Sequence, residues 1–277
     1  MGRIGYAKGR ALCIGINEYP GTNANLNGCV NDANEWARIL GSNYSYEVSK
    51  RLEAEATREG ILDGLKSIVG QARPKDRLII TFSGHGTFVP DGSGDETDKA
   101  DEAWCPSDVM TSGVIMDDEI AAIFRTAPKG VRIVMISDSC HSGTMARAMQ
   151  RARTGVDGYS DARVRFLPPQ LWFDGPYRTE RRELVHNPAP VQIDQQSPAL
   201  LLAGCQDNES SYDAVFQGKP MGAFTYHATS LLKNLMTAPT TYAKWMSEIR
   251  RSLPSLRYPQ TPQLYGTKTQ TTWRIFS

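Results

Sequence analysis

Four short apolar runs punctuate the chain: ALCIGI from Ala11 to Ile16, LIITF from Leu78 to Phe82, VRIVMI from Val131 to Ile136 and ALLLA from Ala199 to Ala203. Each is too continuous for a strand with one wet face and too short for a helix. Each therefore predicts a strand buried on both faces of a parallel sheet. Between the first two, helical periodicity predicts helices over Cys29 to Leu40 and Arg58 to Gly70, with a shorter strand over Glu47 to Leu52. A further helix is expected over Asp117 to Arg125, whose acidic start suits the positive end of the helix dipole. After ALLLA come helices around Gly222 to Asn234 and Tyr242 to Arg251, then a closing TPQLYG. Strands alternating with helices predict an α/β fold with right-handed crossovers, and ligand sites in such sheets lie beyond the carboxyl ends of the strands.

Two segments break the pattern. Asp91 to Glu119 carries ten acidic residues against one base, Lys99, which suits either a solvated loop or a cation site. Met145 to Ser197 has little strand or helix pattern and holds eight arginines between Arg147 and Arg182 against four acids. A long segment of that kind inside a compact domain is usually functional or mobile. No internal repeat is visible.

Composition narrows the class. Within 277 residues, 31 basic side chains face 30 acidic ones, leaving a net charge of +1, which favours neither nucleic acid nor a membrane surface as partner. The opening MGRIGYAKGRALCIGINEYP lacks the unbroken apolar stretch of a signal peptide, and no window suits a bilayer span. The expectation is a cytoplasmic protein. Its five cysteines, Cys13, Cys29, Cys105, Cys140 and Cys205, are odd in number and lack CxxC spacing, so they predict neither a disulfide framework nor a zinc site.

The chemistry sits where the strands end. LIITF runs directly into SGHG and VRIVMI into SDSCHSG, so His85 and Cys140 both fall just past the carboxyl ends of expected central strands. A thiol attacks a carbonyl as thiolate, which calls for a neighbouring imidazole. Gly84, Gly86 and Gly143 let a substrate backbone approach and leave main-chain N–H groups to hold an oxyanion. Taken alone, Cys140 reads equally as a small apolar residue ending a buried strand. The side chain of His141 should point away from that of its neighbour Cys140, which leaves His85 as the expected base.

SGHGT at 83–87 together with DSCHSGT at 138–144 resembles the metacaspase branch of the caspase-like cysteine peptidases. ALCIGINEY, LNGCVNDA, GDETDKADEAWCPSD, MDDEI and LLAGCQDNESSYDA extend the resemblance, while the caspase pattern QACxG is absent. The resemblance implies a three-layer caspase-like sandwich with a central, mostly parallel sheet flanked by helices. It forms a single domain, with residues 1–144 corresponding to a large subunit, 145–197 to a flexible linker and 198–277 to a small subunit. It also implies a Cys-His dyad endopeptidase in which Cys140 attacks, His85 moves the proton, and the N–H groups of Gly86 and Cys140 form the oxyanion hole.

The same resemblance places Asp32 and Asp138, with Cys29 and Ser83 nearby, in the pocket for the side chain before the cut bond. Two carboxylates there suit arginine, and lysine as well. Protein substrates are thus the expected partners of a monomeric enzyme. Asp101, Asp117 and Asp118 match calcium ligands of calcium-dependent relatives, and hard oxygens suit that ion. However, an aspartate expected soon after SCHSG is replaced where TMARAM leads to Arg147, and Asp117 and Asp118 also read as plain helix-start acids. Arg147, Arg151, Arg153, Arg163 and Arg165 are candidate processing sites, cut by the enzyme itself or by an upstream protease, with an uncut solvated loop as the alternative. A non-catalytic caspase-like interaction module is the competing function.

Overall fold

The computed structural model describes residues 7–89, 101–140, 162–173, 198–206, 209–235 and 239–277. Its centre is a six-stranded sheet in the order β12-β9-β7-β3-β1-β2. The strands are β1 (Gly9–Gly15), β2 (Glu47–Leu52), β3 (Arg77–Ser83), β7 (Arg132–Asp138), β9 (Ala199–Ala203) and β12 (Gln263–Tyr265). All neighbours pair in parallel except β12, which closes one edge antiparallel to β9. The four apolar runs occupy the interior positions of that order. The polar EVSKRL of β2 takes the other edge, where exposed charged side chains discourage further strand pairing.

Alternation along the central strands feeds two cores. One face sends Leu12, Ile14, Ile80, Phe82 and Ile133 against two helices, α2 (Arg58–Gly70) and α3 (Asp117–Arg125). The other sends Ala11, Cys13, Ile79, Val134, Ile136 and Leu202 against α1 (Cys29–Tyr44), α4 (Ala223–Leu235) and α5 (Tyr242–Ile249). The result is three layers, helix on sheet on helix. Trp36 and Trp245 meet edge-on at 6.1 Å between α1 and α5, so large aromatic side chains fill the second layer.

Two small sheets complete the described fold. β4 (Gly86–Val89), β5 (Asp101–Trp104) and β6 (Ile115–Met116) form one, and β8 (Arg163–Val164), β10 (Tyr212–Phe216) and β11 (Lys219–Gly222) the other. These strands are short and carry no long apolar run, so periodicity does not announce them. β8 corrects one expectation. Arg163 and Arg165 were expected in a mobile stretch, yet residues 162–173 pack into the fold: Leu167 and Trp172 are fully buried, and the Trp172 indole donates to the Thr87 hydroxyl at 3.3 Å. The segment finds on β10 and β4 the backbone partners that its own sequence lacks.

Candidate active site

Parallel pairing of β3 with β7 sets Ser83 opposite Asp138. His85 and Cys140, each two residues further on, therefore leave adjacent strand ends on the same edge of the sheet. His85 is fixed on every side. Its amide donates to the Tyr19 hydroxyl at 2.7 Å, and the two rings lie 4.6 Å apart. A Cβ at Gly84 would meet that hydroxyl, so this glycine makes room for Tyr19 rather than for a substrate. The imidazole Nε2 pairs with the Ala24 carbonyl at 2.5 Å, leaving Nδ1 buried without a hydrogen-bond partner. Pairing Nε2–H with a carbonyl selects the tautomer in which Nδ1 has a free lone pair. Burial is the main cause that pushes the ring's pKa down to about 4, with the Ala24 bond opposing it. The ring is thus held as a neutral base.

Cys140 is also buried, and its thiol donates to the Glu209 carbonyl at 2.8 Å. Beside it lies Cys205, in an apolar cluster shared with Phe166. The hydrogen bond to Cys140 first, and burial second, push the Cys205 thiol up, so it stays protonated next to the sulfur that would attack.

The cleft between these groups holds a piece of the same chain. The carbonyl of Arg165 accepts from the Gly86 amide at 3.0 Å and from the Cys140 amide at 3.2 Å. These are the two amides named above for the oxyanion. The Arg165 amide donates to the Ser211 carbonyl at 2.9 Å, and the Leu167 amide to the Gly86 carbonyl at 2.9 Å. The residues around Arg165 thus lie extended across the site, tied on both sides of the Arg165–Phe166 bond.

The side chain of Arg165 is fully buried among three carboxylates. Nη2 meets Asp32 at 2.7 Å and Asp213 at 3.1 Å, while Nη1 lies 3.2 Å from the Asp138 carboxylate and donates to the Asp138 carbonyl at 3.1 Å. Each carboxylate is oriented by other donors. Asp32 accepts from the Gly222 amide at 3.0 Å, and Asp138 from Ser211 at 2.6 Å and Thr225 at 2.7 Å. Asp213 accepts from the amides of Asn27 and Gly28 at 2.6 and 2.9 Å. Gly222 has a steric reason, because a Cβ there would strike both Asp138 and the guanidinium. Three acids around one cation leave excess negative charge in a dry site, and burial pushes Asp32 up to about 7 against the pull of Arg165. A planar guanidinium reaches carboxylates from two nitrogens at once, whereas an ammonium is a single point.

Cys29 is buried, and its amide donates to Asn17 at 2.8 Å. Burial pushes its thiol up, with the Arg165 guanidinium pulling the other way. Ser83 is buried at the β3 end opposite Asp138. Arg163 is exposed on β8 and donates to the Asn25 carbonyl. Arg147, Arg151 and Arg153, with His141 and Gly143, lie outside the described residues. Asp117 and Asp118 open α3, where the Asp118 amide donates to the Asp117 carboxylate at 2.8 Å; Asp101 lies in β5, its side chain outside the described residues. Among the described residues no group of three or more acidic, histidine or cysteine side chains is arranged to hold a metal, and no helix is long and apolar enough to cross a membrane.

Asp213, Tyr19, the Ala24 carbonyl and Ser211 were not anticipated as site groups. SSYDA was visible as a motif, but nothing local says that its aspartate turns into a pocket opened by α1 and β7. Ala24 and Ser211 act through main-chain carbonyls, which a sequence does not distinguish.

The sequence pattern described as "Metacaspase, peptidase C14 domain" matches residues 9–149. The chain is 30% identical over 298 residues to Metacaspase-1 of Cryptococcus neoformans var. neoformans serotype D, and 31% identical over 288 residues to Metacaspase-1 of Coccidioides immitis. The alignments cover 97% and 93% of this chain but 64% and 61% of those proteins. The chain therefore spans less than two thirds of the length of these relatives. A crystal structure of a Geobacter sulfurreducens protein superposes with a TM-score of 0.77 at 30% identity, covering 98% of each chain. The crystal structure of Caspase-1 from Spodoptera frugiperda superposes with a TM-score of 0.59 at 10% identity, over 94% of this chain and 86% of that one. The second likeness is one of fold.

Proposed function

Since the chain belongs to the metacaspase family, we propose that it is a cysteine endopeptidase that cuts after arginine and, more slowly, after lysine, with its own Arg165–Phe166 bond as the first substrate. One observation carries the reading: the carbonyl of a buried arginine meets two main-chain amides beside Cys140 while its guanidinium meets three carboxylates. Cys140 attacks that carbonyl as its thiol rotates away from Glu209, and Nδ1 of His85 takes the thiol proton. The two amides hold the oxyanion. His85 then gives the proton to the amine of Phe166, which leaves, and water releases Arg165 from the sulfur. A non-catalytic module has no use for the oxyanion geometry or for a neutral histidine held in one tautomer. Labelling with an arginyl cysteine-reactive probe tests the reading: the wild-type chain takes the label at Cys140 and Cys140→Ala does not. Failure of the wild-type chain to react, after incubation long enough for processing, would sink it.

The pH dependence follows from the buried base. His85 must be neutral to accept a proton, and with its pKa at about 4 it remains so well below the ordinary 6.5. Asp32 takes up a proton as pH falls through about 7, leaving Asp138 and Asp213 to hold the single guanidinium. Self-cleavage, followed by intact mass across buffers from neutral to acid, is expected to persist below pH 6.5 and to fail toward pH 4. A decline centred at 6.5 would mean that the ring is solvated when it reacts. The histidine's own contribution to stability is lost as pH falls between 6.5 and 4, because the unfolded chain then binds its proton first, while Asp32, protonated first in the folded chain, contributes with the opposite sign over the same range.

Calcium is proposed only as an external activator through Asp101, Asp117 and Asp118. Hard carboxylate oxygens suit that ion, and no step of the cleavage above is routed through it. Full activity after complete chelation would remove it.

A further inference from the structure

The segment in the cleft also records how a peptide is held upstream of the arginine. Resting on the reading of the cleft as an arginine-cleaving site, we propose that the enzyme selects a second residue, an apolar side chain immediately before the arginine, read by the surface that Tyr212 and Tyr258 form.

Three observations support this. The upstream residues bind as an added strand: Val164 pairs with Tyr212 and Arg163 with Asp213 in antiparallel register, and the Arg165 amide continues the ladder to Ser211. Strand addition gives affinity through the main chain and leaves specificity to the pockets that side chains enter. Val164 packs on a cluster of Tyr212, Ala214, Ala223, Leu253 and Tyr258, all buried. Tyr212 and Tyr258 lie 6.0 Å apart at an open angle of 49°, and Phe216 meets Tyr258 at 5.3 Å. A charged side chain in Val164's place would lose water against these rings and find no opposite charge in the cluster, whose polar atoms are tyrosine hydroxyls. Arg163, by contrast, is exposed and its side chain makes one hydrogen bond among the described residues, its donation to the Asn25 carbonyl, so a swap there costs less than one at Val164.

Three fluorogenic peptide amides test the proposal on the wild-type chain after incubation: Ala-Arg-Val-Arg, Ala-Arg-Asp-Arg and Ala-Asp-Val-Arg, each with a coumarin leaving group. Valine next to the arginine is expected to give a kcat/KM about tenfold or more above aspartate at that place. The Ala-Asp-Val-Arg peptide loses only the donation to the Asn25 carbonyl and is expected to fall less than Ala-Arg-Asp-Arg does. Equal hydrolysis of the first two peptides, or a larger loss from the change in Arg163's place than in Val164's, would overturn this inference and leave arginine cleavage standing. Hydrolysis of none would overturn the arginine reading and this inference with it.

Discussion

Incubated alone near neutral pH, the purified chain is expected to part into two fragments that break between Arg165 and Phe166, while Arg165→Ala stays uncut at that bond. The reacting groups are already gathered. The carbonyl sits on the Gly86 and Cys140 amides, and the segment is tied upstream to Ser211 and downstream to Gly86. Holding a reactant in this way converts attack into an intramolecular event, which is worth several powers of ten in effective concentration. Alanine at 165 removes the guanidinium and strands three buried carboxylates around an empty space. Stranding buried charge when the segment docks costs about 3–5 kcal/mol, or roughly a 100- to 4000-fold slower cut. Arg165→Lys should fall between, because an ammonium reaches fewer of the carboxylates at once. Intact mass over time reads all three, with Cys140→Ala as the uncut control. A cut at Arg163 with the Arg165 bond whole would overturn the assignment. So would a wild-type chain that stays single while Arg165→Ala gains activity; the segment would then be a plug and not a substrate.

The second large effect is expected at the pocket. Asp138→Asn keeps the volume of the side chain but removes the charge that faces Nη1 of the arginine, and it turns one oxygen into a donor aimed at donors. Asp138 accepts from the Ser211 hydroxyl at 2.6 Å and from the Thr225 amide and hydroxyl at 2.9 and 2.7 Å. An amide satisfies only part of that set, so arginine loses one of its three carboxylates, the one that faces Nη1, and the loop that carries Ser211 loses an anchor. The kcat/KM for an arginyl peptide is expected to fall by about 100-fold or more, with the larger share in KM if the pocket binds substrate and transition state alike. Asp213→Asn is expected to fall less, since Nη2 keeps Asp32 at 2.7 Å. Steady-state kinetics on the two variants, with thermal melting to confirm folding, decide. Undiminished activity in folded Asp138→Asn would remove the carboxylate from the pocket's chemistry.

Much of the architecture was legible before any coordinates. The run ALLLA is β9 to the residue, Arg58 to Gly70 is α2 to the residue, and the remaining central strands differ from their runs by one or two residues at each end. A strand buried on both faces must be apolar throughout, so its composition alone marks it. The strands of the two small sheets were not legible. β8 is two residues of an arginine-rich segment, and it exists because β10 offers it a free edge.

The sequence by itself determined the sheet and the placement of His85 and Cys140 past its strand ends, since burial and periodicity act on neighbours in the chain. Asp32 and Asp138 were legible only through the resemblance its motifs carry, because alone each reads as an ordinary helix-start or strand-end acid. Only the tertiary structure decided which arginine enters the pocket, that Asp213 is the third acid, and that the Ala24 carbonyl orients the base. Those pairings join residues far apart in sequence through charge and main-chain hydrogen bonds. Their geometry depends on how whole elements pack, and no short stretch of sequence encodes it.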